Sequence, residues 1–162
     1  EIKRCDLVLK SVLCCKYAYV RVPVEFKEAG ICNLGFGDIE SRDLCTALCG
    51  CQEAYILGVT IGIKADMLIK RLEIASPAEA FITDALASAA AESLCELADD
   101  TLRGVGKKPI RFSPGYGDLP LSVQPAVLAV LNADYTLGIA LSPSFLMTPM
   151  KSVTAIMGIL PN

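Results

Sequence analysis

The chain of 162 residues has no histidine and no tryptophan. Without histidine there is no Ser/His or Cys/His pair to activate a nucleophile. Aromatic residues make up 6% of the chain, so the core must be aliphatic, built from Ala, Leu, Ile and Val. There is no basic run, the aromatics are not interleaved with Lys or Arg, and the net charge is −3. These features argue against nucleic acid as a partner. No apolar run approaches the roughly 18–20 residues that a membrane span needs. The longest candidates, 54–63 and 137–147, are shorter and broken by Gly, Thr, Ser or Pro. No secretory signal pattern opens the chain, and a cytoplasmic setting is expected.

What is present is apolar mass and sulfur. The chain is 53% hydrophobic and long enough for one domain, 1–162, with a real core. Eight cysteines are many for this length. With no secretory signal a disulfide framework is the weaker reading, and buried thiols acting as small hydrophobes are the stronger one. Cys45, Cys49 and Cys51 form a cluster. Their spacing lacks the repeated C-x-x-C of zinc knuckles and misses the common ferredoxin patterns. No metal is expected there.

Apolar positions Ile2, Cys5, Leu9, Val12 and Leu13 recur at near-helical spacing and predict an amphipathic helix over 2–14. Val20, Val22, Val24 and Phe26 alternate with polar residues, the period of a half-buried strand. Pro23 argues for a sheet edge. With a turn at Glu28-Ala29-Gly30 and a return over 31–34, residues 19–34 read as a hairpin, so 1–40 is a helix and a hairpin. Gly35-Phe36-Gly37-Asp38 reads as a turn. Ser41 can cap a short helix from Arg42 to Leu48. The run 54–61 predicts a central strand buried on both faces. Ala65, Leu68, Ile69 and Leu72 then mark a helical face.

Ser76-Pro77-Ala78-Glu79 signals a helix start, with Glu79 placed for a capping box. That helix should run from Pro77 to about Leu102. Its many alanines would let another element, or a ligand, lie close to its backbone; plain helix propensity is the alternative. Glu92 and Glu96 share one face of it. Residues 104–108 read as a flexible link. Ser122 can cap a further helix with Val123, Val127, Leu128 and Leu131 inside. Residues 137–141 and 152–159 read as strands, and 142–151 as irregular.

The stretch Arg111-Phe112-Ser113-Pro114-Gly115-Tyr116-Gly117-Asp118-Leu119-Pro120 stands apart. Two glycines and two prolines shape a loop, neither helix nor strand, whose backbone can approach a ligand. Arg111, Tyr116 and Asp118 can point the same way. Arg111 can clamp a carboxylate with a bidentate pair; the alternative is an ion pair that fixes the loop. Tyr116 can pack its ring beside a ligand. Glu92 is either solvated or turned toward this loop to meet a cation.

This stretch, with Pro149-Met150-Lys151-Ser152-Val153-Thr154-Ala155, resembles the activation domain of cobalamin-dependent methionine synthase, in its small stand-alone relatives. Cys51-Gln52-Glu53-Ala54 with Thr60-Ile61-Gly62 is similar to their central strand. Asp84-Ala85-Leu86-Ala87-Ser88-Ala89 with Glu92 is similar to their long helix. The resemblance implies an α+β fold, a twisted, largely antiparallel sheet flanked by helices. It implies a domain that binds S-adenosylmethionine (AdoMet) and presents it to the cobalamin of a separate methionine synthase. There one electron, from a flavodoxin-like or other donor, and the AdoMet methyl group convert cob(II)alamin to methylcobalamin. Arg111, Phe112, Ser113, Pro114, Gly115, Tyr116 and Glu92 are the implied AdoMet-binding residues, with no catalytic acid or base. Lys151 and Ser152 would either face the corrinoid partner or stabilise their loop. A methyl donor module for another corrinoid protein, or a non-catalytic adaptor, is the alternative. A further ligand-contacting acid and the tyrosines beyond the serine-valine motif, found in full-length synthases, have no counterpart here.

Overall fold

The computed structural model describes residues 1–28, 30–103 and 111–160. The expected link at 104–108 and Ala29 of the expected turn lie outside these residues. In chain order the elements are α1 (Ile2–Val12), β1 (Lys16–Pro23), β2 (Glu25–Glu28), β3 (Ile31–Asn33), β4 (Asp38–Glu40) and α2 (Arg42–Ala47). There follow β5 (Glu53–Thr60), α3 (Ile63–Ala75), α4 (Pro77–Arg103), β6 (Arg111–Phe112) and a 3-10 turn at Leu121–Val123. The chain continues through α5 (Gln124–Leu131), α6 (Ala133–Thr136), β7 (Ala140–Leu141), β8 (Met147–Thr148) and β9 (Ser152–Ile159).

The main sheet has the order β1-β5-β9-β6, and every neighbouring pair in it is antiparallel. The fold is therefore α+β with an antiparallel sheet and flanking helices, as expected. β5 is buried along most of its length and sits inside the sheet. Pro23 ends β1 on the sheet's edge, where its missing N–H costs no ladder bond.

The expected hairpin over 19–34 is only half right. β1 pairs with β5 along its whole length, and only β2 turns back to pair with β3. Val24 separates the two: its N–H bonds the Gln52 carbonyl at 2.9 Å, so the chain leaves one sheet for another there. Alternating polarity identified a strand but could not identify its partner.

Each face of the main sheet has its own core. On one, Ile56 and Ile156 meet Val127, Leu128 and Leu131 of α5, with Leu44 of α2 and Leu119 joining them. On the other, Leu57, Val59, Ala155 and Met157 meet Cys95 and Ala98 of α4. Ala87 and Ala91 of α4 pack against Leu9 of α1 and against Ala65 and Ile69 of α3. The alanines of α4 thus admit strands and helices close to its backbone.

Local start signals are partly used as read. Ser41 accepts the Leu44 N–H at 3.0 Å and caps α2. At the head of α4 the Ser76 N–H is already taken by the Leu72 carbonyl at 2.7 Å. Glu79 therefore closes no capping box and pairs with Arg4 of α1 instead. Ser122 lies inside the 3-10 turn and does not cap α5. The expected strand at 137–141 shrinks to Ala140–Leu141, because the Leu137 and Ile139 N–H groups both return to the Ala133 carbonyl at 3.0 Å. No disulfide joins the cysteines. Among the described residues, no helix is long and apolar enough to cross a membrane.

Gly58 of β5 shows how tightly the α5 side is filled. A Cβ there would lie 2.8 Å from Leu137 Cδ1 and 2.9 Å from Leu131 Cδ1. Both leucines are buried and have little room to retreat. Gly58→Val should therefore destabilise the fold by about 1–3 kcal/mol through overpacking. Urea unfolding should show a lower midpoint with an unchanged slope; an unchanged midpoint would show that this side is loosely packed.

Candidate functional site

The site is built where β9 runs out of neighbours. The Ile61 N–H bonds the Lys151 carbonyl at 3.2 Å, and the β5–β9 register then continues without a shift. In an antiparallel ladder the main-chain groups of successive residues turn to opposite sides. Val153, Ala155 and Met157 thus bond to β5, and Ser152, Thr154 and Ile156 turn outward. β6 covers only part of that outer edge: Arg111 lies opposite Met157 and Phe112 opposite Ile156. The next outward position is Thr154, and the residue that would pair with it is Pro114. Proline has no N–H to give. The Ser113 carbonyl meanwhile turns to accept the Tyr116 N–H at 3.0 Å. The ladder stops, and a cavity of about 910 Å³ opens against the uncovered edge.

Different elements supply its walls. Glu92 and Cys95, three residues apart on α4, form one side, with Arg111 beside them. Leu121 and Gln124 form the other. Thr154 and Ala155 form the base along β9, and Phe145 and Met147 overhang from the segment around β7 and β8. Tyr116, Leu146 and Met150 also line it while being 70%, 64% and 65% exposed, so its mouth is an apolar rim facing solvent. A volume of this size falls within the roughly 300–1,000 Å³ typical of small-molecule sites.

Of the residues singled out in the sequence, Glu92, Arg111, Ser113, Pro114 and Tyr116 come together in this cavity. Phe112 and Gly115 do not line it. Phe112 faces the other way and packs on the core beneath α5. Gly115 sits in the turn with φ of 90°, its N–H bonding the Leu119 carbonyl at 2.9 Å. Lys151 is turned toward α4, while Ser152 lines the cavity beside Thr154. Lys151 reaches α4, 2.7 Å from Asp84 and 3.0 Å from Ser88 Oγ. Ser152 Oγ donates to the Pro149 carbonyl at 2.7 Å. Both hold their loop in place.

Asp118 does not converge with Arg111 and Tyr116 either. Its carboxylate accepts from Ser41 Oγ, from the Arg42 N–H at 2.8 Å and from the Asp43 N–H at 3.2 Å. The Asp43 carboxylate answers by accepting the Asp118 N–H at 3.2 Å. The loop is thereby tied to the first turn of α2, where unpaired N–H groups favour an anion. Gly117 lets the two carboxylates close in: a Cβ there would run into Asp43, and its φ of 53° suits glycine. Leu119, buried in the core, holds the loop from below.

The electrostatics centre on Arg111. Glu92 forms an ion pair with it, and the Cys95 thiol lies beside its guanidinium. Burial works against the Arg111 charge, but Cys95 and Glu92 outweigh it and hold Arg111 above its ordinary pKa. Burial pushes the Cys95 thiol up, with Arg111 only partly opposing, so it is a neutral thiol near neutral pH. Cys95, Gln124 and Thr154 were not singled out as site residues. A signal existed for Gln124: it continues the stripe Val127, Leu128, Leu131 back by one turn, which places an amide on a buried face. Gln124 Nε2 lies 2.8 Å from Thr154 Oγ1 and 3.2 Å from Met147 Sδ. Among the described residues, no group of three or more Cys, Asp or Glu is placed to hold a metal. Cys51 instead packs its sulfur over Gly158.

Among solved structures the chain is similar to the crystal structure of the MetH reactivation domain bound to AdoHcy, with a TM-score of 0.77 and 16% identity. The similarity covers 99% of this chain and 66% of that one, so this chain spans just under two thirds of its length. At this identity the likeness establishes the fold. No family model matches the chain, and no curated protein matches it in sequence.

The Asp118 tie carries a pH dependence. The Ser41 hydrogen bond, helped by the Arg42 and Asp43 N–H groups, lowers the Asp118 pKa. A depressed folded pKa means that the tie is fully present above the ordinary Asp pKa, about 3.9, and is lost as pH falls through the folded value. Exchange protection of the Tyr116 and Leu119 amides should therefore decline in acid. In Asp118→Asn it should be lower at neutral pH and lose that acid limb. Equal protection in variant and parent would refute the tie.

Proposed function

We propose that this chain binds AdoMet in the cavity between α4 and α5 and serves as a reactivation component for a separate cobalamin-binding methionine synthase. The observation that carries the reading is the meeting of Arg111, Glu92 and Tyr116 in one cavity, on a fold shared with a reactivation domain whose structure holds AdoHcy. Arg111 takes the ligand carboxylate through the N–H groups that Glu92 leaves over, since a guanidinium has five. Glu92, half exposed, turns its free oxygen to the ligand ammonium. Tyr116 closes over the ligand from the rim.

The chain supplies no acid or base, and none is needed for a methyl transfer in which the nucleophile is the partner's cobalt. Cobalamin carried by the partner supplies the methyl-accepting chemistry. This chain supplies binding, orientation and exclusion of water. The exposed rim of Tyr116, Leu146 and Met150 suits a flat apolar partner surface, and burying it on docking would seal the cavity. A flavodoxin-like or other electron donor and a cytoplasmic setting belong to this reading.

AdoMet titrated by calorimetry should give saturable binding. Arg111→Ala should weaken it roughly tenfold to a hundredfold, the scale of about 1.5–3 kcal/mol for charge-assisted hydrogen bonds, with the thermal midpoint little changed. No heat at millimolar AdoMet would favour a non-catalytic adaptor. Mixed with inactive synthase, AdoMet and a reductant, the chain should restore synthase activity. Restoration of a different corrinoid protein instead would favour a methyl donor module for that protein.

A further inference from the structure

The far border of the main sheet is open as well. β1 is its edge strand, and among the described residues no strand pairs with its outer side. The Val24 N–H bonds the Gln52 carbonyl at 2.9 Å, and the β1–β5 register runs on from there without a shift. Even-numbered residues of β1 therefore turn their main-chain groups to β5, while Tyr17, Tyr19 and Arg21 turn theirs outward. No turn, loop or cap bond among the described residues reaches these outward groups. Proteins usually blunt such an edge with charge, proline or a bulge. Here Lys16 and Pro23 stand only at the two ends, and no bulge interrupts the strand. Gly35 lies against the Pro23 ring and closes that end. Arg21, the one charge between them, is paired with Glu53 of β5.

What fits this edge is a second copy of it. A two-fold axis perpendicular to the sheet at Tyr19 sets the two edges antiparallel. Tyr19 then lies opposite the partner's Tyr19, and Tyr17 opposite the partner's Arg21. All are outward residues, so each facing pair exchanges two main-chain bonds. A register shifted by two residues one way puts Tyr17 opposite the partner's Pro23, which has no N–H. Shifted the other way, Arg21 meets the partner's Cys15, beyond the end of β1. The side chains agree with the main chain. Tyr17 and Tyr19 are 42% and 50% exposed, and the Tyr19 ring is already held edge-on by Tyr55 at a centroid distance of 5.7 Å. On that face tyrosine meets tyrosine at the axis, and Arg21 meets an aromatic ring, which attracts a cation. On the other face Ala18 falls opposite Val20, and both are only partly buried against the α5 core. No two like charges face each other in this register, although each chain carries a net charge of −3.

We propose that the chain forms a two-fold symmetric dimer through the β1 edge, joining two four-stranded sheets into one. The dimer leaves the cavity free. β9 lies two strands in from the edge, so five strand spacings separate it from its counterpart, about 24 Å at about 4.8 Å each. The two cavities open toward opposite outer borders of the joined sheet, and each keeps its own apolar rim. The interface stands on β1 alone and does not depend on what the cavity binds.

Analytical ultracentrifugation of the full chain over a concentration series tests it. A reversible monomer–dimer equilibrium is expected. The Tyr17, Tyr19 and Arg21 amides should gain exchange protection as concentration rises, whereas the Ala18 and Val20 amides, bonded to β5, should be protected throughout. Tyr19→Lys sets two ammonium groups against each other at the axis and should weaken the dimer at least tenfold. Its circular dichroism and its thermal midpoint at high dilution should stay close to those of the parent. Tyr19→Phe should keep the dimer. A monomer at millimolar concentration, a dimer in which those three amides exchange freely, or one equally tight in Tyr19→Lys would overturn the inference.

Discussion

One constraint shapes the rest: β9 has a full-length neighbour on one side, and on the other its described neighbour stops at Phe112, opposite Ile156. Pro114, two residues beyond Phe112, imposes it by withholding an N–H, and the turn that follows carries the chain away. Everything distinctive about the site follows from the gap. The sheet edge becomes the base of a cavity. The two helical layers, which elsewhere are separated by the sheet, both reach it, so α4 contributes charge and α5 an amide. A β6 extended by two residues would cover the edge of β9 at Thr154.

A gap of this kind persists only if the chain beside it is fixed. The loop after β6 is held at three points. Arg111 pairs with Glu92 of α4, Asp118 and Asp43 exchange bonds at the head of α2, and Leu119 enters the core. The far wall is held in the same way, by Lys151 on Asp84 and by the Asp66 carboxylate accepting the Met150 N–H at 2.7 Å. The polar side chains that frame the cavity thus mostly bind the protein to itself. The polar side chains that line the cavity beside them include Arg111, Glu92, Ser113, Tyr116 and Thr148.

Much of the fold was legible because its signals are local. The α4 start at Pro77, the Ser41 cap, and the apolar runs that became β5 and β9 all follow from neighbouring residues. What escaped was set by distant partners. The alternation of β1 cannot say that it pairs with β5 rather than folding back on 31–34. Glu79 has the spacing of a capping box, but the end of α3 occupies its target and Arg4 competes for its charge. The featured loop was legible as a binding loop, and Arg111, Tyr116 and Glu92 do meet. Asp118 was read with them because composition does not give direction; the head of α2, some 75 residues earlier in sequence, turned it away. Cys95 and Gln124 look like ordinary core residues until the helices that carry them are placed on either side of an open strand edge.

The most direct measurement is a titration of S-adenosylhomocysteine followed by backbone and side-chain NMR on the full chain. The account predicts saturable shifts confined to Glu92, Cys95, Arg111, Ser113, Tyr116, Gln124 and Thr154, on both sides of the β9 edge at once. Shifts centred elsewhere on the molecule, or none at millimolar ligand, would contradict it.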